Sequence, residues 1–197
     1  MSKLHIGNGT IYLTGFINVD LPSSHCFLAH ERPDLVEEYR TDADNYYGRH
    51  RRDINDFRKG PEQKQTVCDR YGSFHFMPVH DNSVDQILSR QVIEHLSVAE
   101  LRDSLREAQR VLIPGGIFRF SVPDFLESMK QYAASKDPFY IRHFEGPKKD
   151  DHGFHTCYSR NDLVKIMQES GFEYVRDDSN PHVYPALSLI FRTTKLS

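Results

Sequence analysis

At 197 residues and a formal net charge of −3, the chain is within the range of a single domain able to bury a sizeable core, and its charge makes no general electrostatic case for nucleic acid or an anionic membrane. No long apolar stretch suggests a transmembrane helix, and the N-terminus enters a strand almost at once, which argues against a signal peptide. Three widely spaced cysteines, Cys26, Cys68 and Cys157, contain no CxxC pair and favour a reduced, cytoplasmic setting over a disulfide scaffold.

In chain order, Leu4 to Gly7 reads as a first strand and Phe16 to Leu21 as a second. The gap from Asn8 to Gly15 is too short for a crossover helix but can reach along a sheet, so the expectation is a parallel pair whose first crossover is reduced to a loop. An antiparallel first pair is the competing reading. Residues 22–64 form a polar insertion with a helical candidate after Pro33 and a charged, tyrosine-bearing piece from Asn45 to Lys59. The cluster Arg49, His50, Arg51, Arg52 is diluted by Asp42, Asp53 and Asp56 and reads as a solvated helix face. A third strand is expected over Gln65 to Asp69.

The stretch from Asp81 to Asp124, DNSVDQILSRQVIEHLSVAELRDSLREAQRVLIPGGIFRFSVPD, carries the strongest local signals. Val84 to Ser89 is short, apolar and bounded by polar residues, as a buried parallel strand is. Ser97 and Glu100 form a capping box, Leu96 and Leu101 a staple, and Leu101, Leu105, Ala108 and Leu112 a helical stripe. Pro114, Gly115 and Gly116 turn the chain into a strand from Ile117 to Val122, completing a right-handed βαβ unit. Phe125 to Ala134 reads as a helix and residues 135–156 as irregular. Ser159 with Asp162 caps a last helix that Gly171 closes, and Phe172 to Val175 and Ala186 to Thr193 supply the final strands. The expected fold is α/β: a Rossmann-like, doubly wound, mostly parallel sheet of seven strands with an antiparallel strand at the edge, as one domain over 1–197.

The run D-N-S-V-D-x-I-x-S-x-x-V-I-E-H-L followed by R-V-L-I-P-G-G and V-P-D resembles the class I S-adenosylmethionine-dependent methyltransferases, in particular the small bacterial, type 11-like branch described only as predicted methyltransferases. The similarity extends to LHIGNGTIYLTGFINVDL and YSRNDLVKIMQESGF and covers most of the chain outside two insertions. It implies S-adenosylmethionine as cofactor and methyl transfer to a small molecule, a hydroxyl of a sugar or secondary metabolite being the leading acceptor. A catalytically inactive cofactor-binding or interaction module is the alternative. An NAD-dependent enzyme is disfavoured because G-x-G-x-x-G leading into a helix is missing.

On that resemblance, Gly7, Asn8 and Gly9 lie against the methionine part of the cofactor, where a side chain would clash. Asp20, followed by Leu21, suits the ribose hydroxyls, since a carboxylate accepts two hydrogen bonds at once. Asp69 and Arg70 fall near the adenine, and Arg90, Gln91 and His95 beside the methyl donor. His95 reads equally as a packing residue. If the acceptor is a hydroxyl, His155 is the leading general base, with Asp124 and Tyr158 lining the same pocket. His152, His155 and Cys157 form H-x-x-H-x-C, but no fourth soft ligand sits in a recognisable position, so no metal is expected. The insertions at 22–64 and 130–156 are expected to form the lid. The sheet edge and the tyrosine-rich insertion are candidate homodimer surfaces.

Overall fold

The computed structural model describes residues 2–48, 65–141, 156–179 and 186–196. The strands are β1 (Ser2–Ile6), β2 (Tyr12–Leu13), β3 (Ile17–Asp20), β4 (Cys26–Leu28), β5 (Arg40–Thr41), β6 (Thr66–Cys68), β7 (Arg70–Tyr71), β8 (Val84–Arg90), β9 (Leu112–Pro123), β10 (Phe172–Asp177) and β11 (Ala186–Thr193). The helices are α1 (Pro33–Tyr39), α2 (Ala43–Gly48), α3 (Val98–Val111), α4 (Phe125–Ser135) and α5 (Arg160–Glu169).

Seven strands form the main sheet in the order β10-β11-β9-β8-β1-β3-β7. β1 pairs in parallel with β3 and β8, β3 with β7, and β8 with β9, whereas β11 runs antiparallel to both β9 and β10. The first pair is therefore parallel and the antiparallel alternative fails. As expected, no helix joins β1 to β3; the connection holds only β2, which pairs with β5 of the insertion.

The expected third strand is divided. Thr66–Cys68 pairs with β4 in a separate two-stranded sheet, and the strand that joins the main sheet beside β3 is Arg70–Tyr71. Asp69 thus lies between two strands rather than at the end of one. The insertion contributes the helix expected after Pro33, whose ring sits at the first helical position, and the short α2. The basic run from Arg49 to Arg52 lies outside the described residues.

Alternation along the strands separates two faces. On one, Leu4, Ile6, Val19, Ile87, Phe118 and Phe120 join Leu101, Leu105 and Ala108 of α3 and Leu163 and Met167 of α5 in the main core. On the other, Leu88 packs with Leu13 and Tyr46 in a second, smaller cluster. The connection between β1 and β3, together with α2, therefore covers the face that a crossover helix would otherwise shield. The capping box on α3 is complete, with Ser97 Oγ accepting from Glu100 N–H at 3.3 Å and Glu100 Oε2 from Ser97 N–H at 2.7 Å. Ser97→Ala is expected to lower stability by about 1 kcal/mol, measurable by urea denaturation, because Glu100 N–H in the first turn loses its acceptor. The strand after α3 begins at Leu112, paired with Val84, so Pro114, Gly115 and Gly116 lie inside β9 rather than ahead of it.

Candidate functional site

The chain leaves β1 toward β3 and β7 on one side and returns through β8 on the other, so strand order reverses between β1 and β8. In open parallel sheets the crevice at such a point, beyond the carboxyl ends of the strands, receives ligands. Ile6 opposes both Val19 and Ser89, which brings Gly7, Asp20 and Arg90 to one level at that edge.

Gly7 has φ +69° and Gly9 φ +53°, left-handed values that favour glycine. The two glycines serve different ends. A Cβ on Gly7 would fall 2.4 Å from Val92 Cγ2, so this glycine lets β1 meet the turn after β8; a Cβ on Gly9 would meet nothing within 4 Å, leaving open space beside its backbone. Gly9 N–H donates to Asp20 Oδ2 at 2.7 Å and Leu21 N–H to Asp20 Oδ1 at 2.8 Å. Burial pushes the Asp20 carboxyl above the usual carboxylate range, while these two backbone donors pull it back. Each oxygen keeps a lone pair for a further donor. The Leu21 side chain beside it is 60% exposed.

Asn8 is buried and turned inward: its Nδ2 donates to Val67 O at 2.8 Å and to Gly9 O and Ile11 O, each at 3.2 Å, so its amide braces the turn from behind. Gln91 takes φ +58° and donates its N–H to Ser121 O at 2.8 Å. A non-glycine residue held in the left-handed region at the carboxyl end of a central strand is the kind of local strain that surrounding structure maintains at functional sites.

Other sequence-predicted residues have defined structural work. Arg90 stacks its guanidinium on Tyr46, 4.7 Å from the ring centroid, and donates to Tyr46 O, fastening α2 to β8. Arg70 donates to Pro78 O at 2.6 Å. Asp69 accepts from Tyr12 Oη at 2.6 Å on one oxygen and from Asn18 on the other. Asp124 caps α4 by accepting from Glu127 N–H at 3.0 Å. Tyr158 is buried with its hydroxyl on Leu96 O at 3.0 Å, strapping the segment before α5 to the turn that carries His95; burial raises its pKa. His95 is half-buried in the short 3₁₀ turn Ile93–His95. His155 and His152 lie outside the described residues, and no group of three or more metal-ligating side chains occurs among the described ones.

Sequence reasoning placed Val92 in the loop after β8 but passed over Tyr12 and Asn18. Asn18 left a signal, being a polar residue at the centre of the apolar strand FINVDL.

The crevice at the strand-order reversal, with its glycine turn and strand-end carboxylate, is that of a Rossmann-like, doubly wound sheet. In sequence, residues 54–120 match the methyltransferase domain family. A curated relative from Mycolicibacterium smegmatis, described as a probable S-adenosylmethionine-dependent methyltransferase, is 29% identical over 104 residues, 53% of this chain and 34% of that protein. The chain thus spans about a third of the length of that relative. Among solved structures, an S-adenosylmethionine-dependent methyltransferase from Methanosarcina mazei superposes with a TM-score of 0.55 at 13% identity, covering 98% of this chain and 92% of that one. The Burkholderia thailandensis 1,6-didemethyltoxoflavin N1-methyltransferase, solved with 1,6-didemethyltoxoflavin and S-adenosylhomocysteine, superposes with a TM-score of 0.56 at 13% identity, covering 98% of this chain and 71% of that one. At these identities the structural likeness establishes the fold. No helix among the described residues is long and apolar enough to cross a membrane.

Proposed function

We propose that the chain transfers a methyl group from S-adenosylmethionine to a small-molecule acceptor, a sugar or secondary-metabolite hydroxyl being the leading candidate. The observation that carries this reading is the open space beside Gly9 next to a carboxylate with lone pairs to spare. The cofactor fits these residues: the Gly7–Gly9 turn would take the methionine end, Asp20 the ribose hydroxyls, and the exposed Leu21 side chain one face of the adenine. When bound, the sulfonium supplies an activated methyl with its own leaving group. The protein's part is then alignment and exclusion of water. Gln91, locked at φ +58°, holds the end of β8 rigid beside that position, and the Arg90 clasp on Tyr46 keeps α2 over the sheet face. A hydroxyl acceptor needs a base, and His155 retains that role on sequence grounds.

Calorimetry with S-adenosylmethionine, S-adenosylhomocysteine and NAD tests the reading. Binding of the first two without NAD is expected, and turnover of a methyl acceptor separates an enzyme from a cofactor-binding module. Asp20→Asn is expected to weaken S-adenosylhomocysteine roughly tenfold or more, the loss of about 1.5–3 kcal/mol from bonds to a charged acceptor. Since ribose binding needs the ionised carboxylate and burial raises its pKa, wild-type affinity should fall on acidification at a pH above the ordinary aspartate range. In Asp20→Asn that component should vanish. An affinity indifferent to both the substitution and pH would remove Asp20 from the site.

A further inference from the structure

A connection between parallel strands that lacks a helix needs another means of fixing its path, and residues 8–16 have one. Tyr12 Oη donates to Asp69 Oδ1 at 2.6 Å. Asp69 Oδ2 accepts from the Asn18 backbone N–H at 2.7 Å and from Asn18 Nδ2 at 3.1 Å. Asn18 Oδ1 in turn accepts from Leu13 N–H at 2.8 Å, while its Nδ2 donates to Leu13 O at 3.1 Å. Two residues before Asp69, Val67 O receives the Asn8 amide at 2.8 Å. The middle of the loop and the strand that follows it therefore converge on a single carboxylate, with the glycine turn tied to the same segment.

We infer that Asp69, acting through Tyr12 and Asn18, is a positioning residue for the Gly7–Gly9 turn, doing the work of the missing crossover helix rather than contacting adenine. Asp69 Oδ2 accepts two donors of the protein and Oδ1 the Tyr12 hydroxyl, one donor more than Asp20 accepts, and bonds to a carboxylate are stronger than neutral ones, so the group is suited to holding a loop whose backbone has no helix to satisfy it. The inference rests on the methyltransferase reading of the crevice, because the consequence falls on the ligand portion that the glycine turn would grip. A loosened turn should release the methionine end while leaving the nucleoside end, seated on Asp20 and Leu21, in place. A direct contact to adenine would do the reverse.

The test compares S-adenosylhomocysteine with adenosine as ligands of the wild type, Tyr12→Phe and Asp69→Asn, by calorimetry with competition for the weaker ligand. Tyr12→Phe removes one hydroxyl from a half-buried ring and keeps the packing, so it remains informative even if Asp69→Asn does not fold. Expected is a loss of S-adenosylhomocysteine affinity of tenfold or more in each folded variant, with adenosine changed less than threefold. A mere loss of global stability would weaken both ligands alike. An equal loss for both ligands, or undiminished S-adenosylhomocysteine affinity in Tyr12→Phe, overturns the positioning role. A wild type that binds neither ligand overturns the cofactor reading on which it stands.

Discussion

Lowering the pH from about 6.5 to about 4 is expected to remove roughly 3 kcal/mol of stability through His5 alone. His5 is wholly buried on β1, its ring edge-on to Tyr46 with centroids 5.7 Å apart. Asn18 Oδ1 already accepts from Leu13 N–H, which makes it the acceptor for His5 Nδ1 as well, at 3.1 Å. The proton is thereby assigned to Nδ1, and Nε2 is buried without a partner. Burial disfavours the imidazolium and lowers the pKa from 6.5 to about 4, with the Asn18 bond opposing weakly. Between those values the unfolded chain binds a proton that the folded chain refuses, so stability rises with pH across that window and is fully present above 6.5. Urea denaturation at pH 7 and pH 4.5 should show the loss in the wild type, diminished by about that amount in His5→Gln, whose amide can still donate to Asn18. Identical pH slopes in the two proteins would contradict the assignment.

Gly7→Ala is expected to cost roughly 2–5 kcal/mol, combining left-handed strain of about 1–2 kcal/mol with overpacking of about 1–3 kcal/mol. The strain comes from φ +69° and the overpacking from Val92, whose Cγ2 and Cγ1 would lie 2.4 and 3.3 Å from the new methyl. The two parts are separable. In Gly7→Ala/Val92→Ala the clashing methyls are gone while the remaining Cβ at 3.5 Å is an ordinary contact, so the double variant should recover the steric part and keep the strain. A double-mutant cycle should therefore show coupling of about 1 kcal/mol or more. Additive costs would mean that Val92 moves aside freely and that only the backbone demands glycine. Gly9→Ala offers the contrast, with strain but no clash, and its larger effect should be on cofactor affinity.

The half of the chain that was legible in advance is the half whose signals are local. Ser97, Glu100 and the leucine stripe specify α3 without help from distant residues, and Ser159 with Asp162 does the same for α5. The third strand escaped because its partner was decided at long range: Thr66–Cys68 resembles any short apolar strand, and its pairing with Cys26–Leu28 follows from an insertion with no local signature. At the crevice, the family resemblance singled out Gly7, Gly9 and Asp20, and the strand register brings Gly7 and Asp20 to one level at that edge. Asp69, Asp124 and Tyr158 were visible as polar groups near the edge, but a sequence cannot distinguish an acceptor turned to a ligand from one spent on a cap or a loop. In the structure their polar atoms meet the Tyr12 hydroxyl, Glu127 N–H and Leu96 O.

The replacement of a helix by a sewn loop also bears on the order in which the molecule assembles. A crossover helix closes its hydrogen bonds four residues apart and can nucleate by itself, whereas the bonds that hold the glycine turn join residues 57 and 59 positions apart. Such contacts wait on loop closure, whose entropic penalty precedes their reward. The glycine-turn edge should therefore be among the last regions to acquire protection during refolding, after the ladder between β1 and β8. Pulse-labelled hydrogen exchange would register this as late protection of the Gly9 and Ile11 amides relative to those of β8, and early protection there would show that the turn forms without its distant ties.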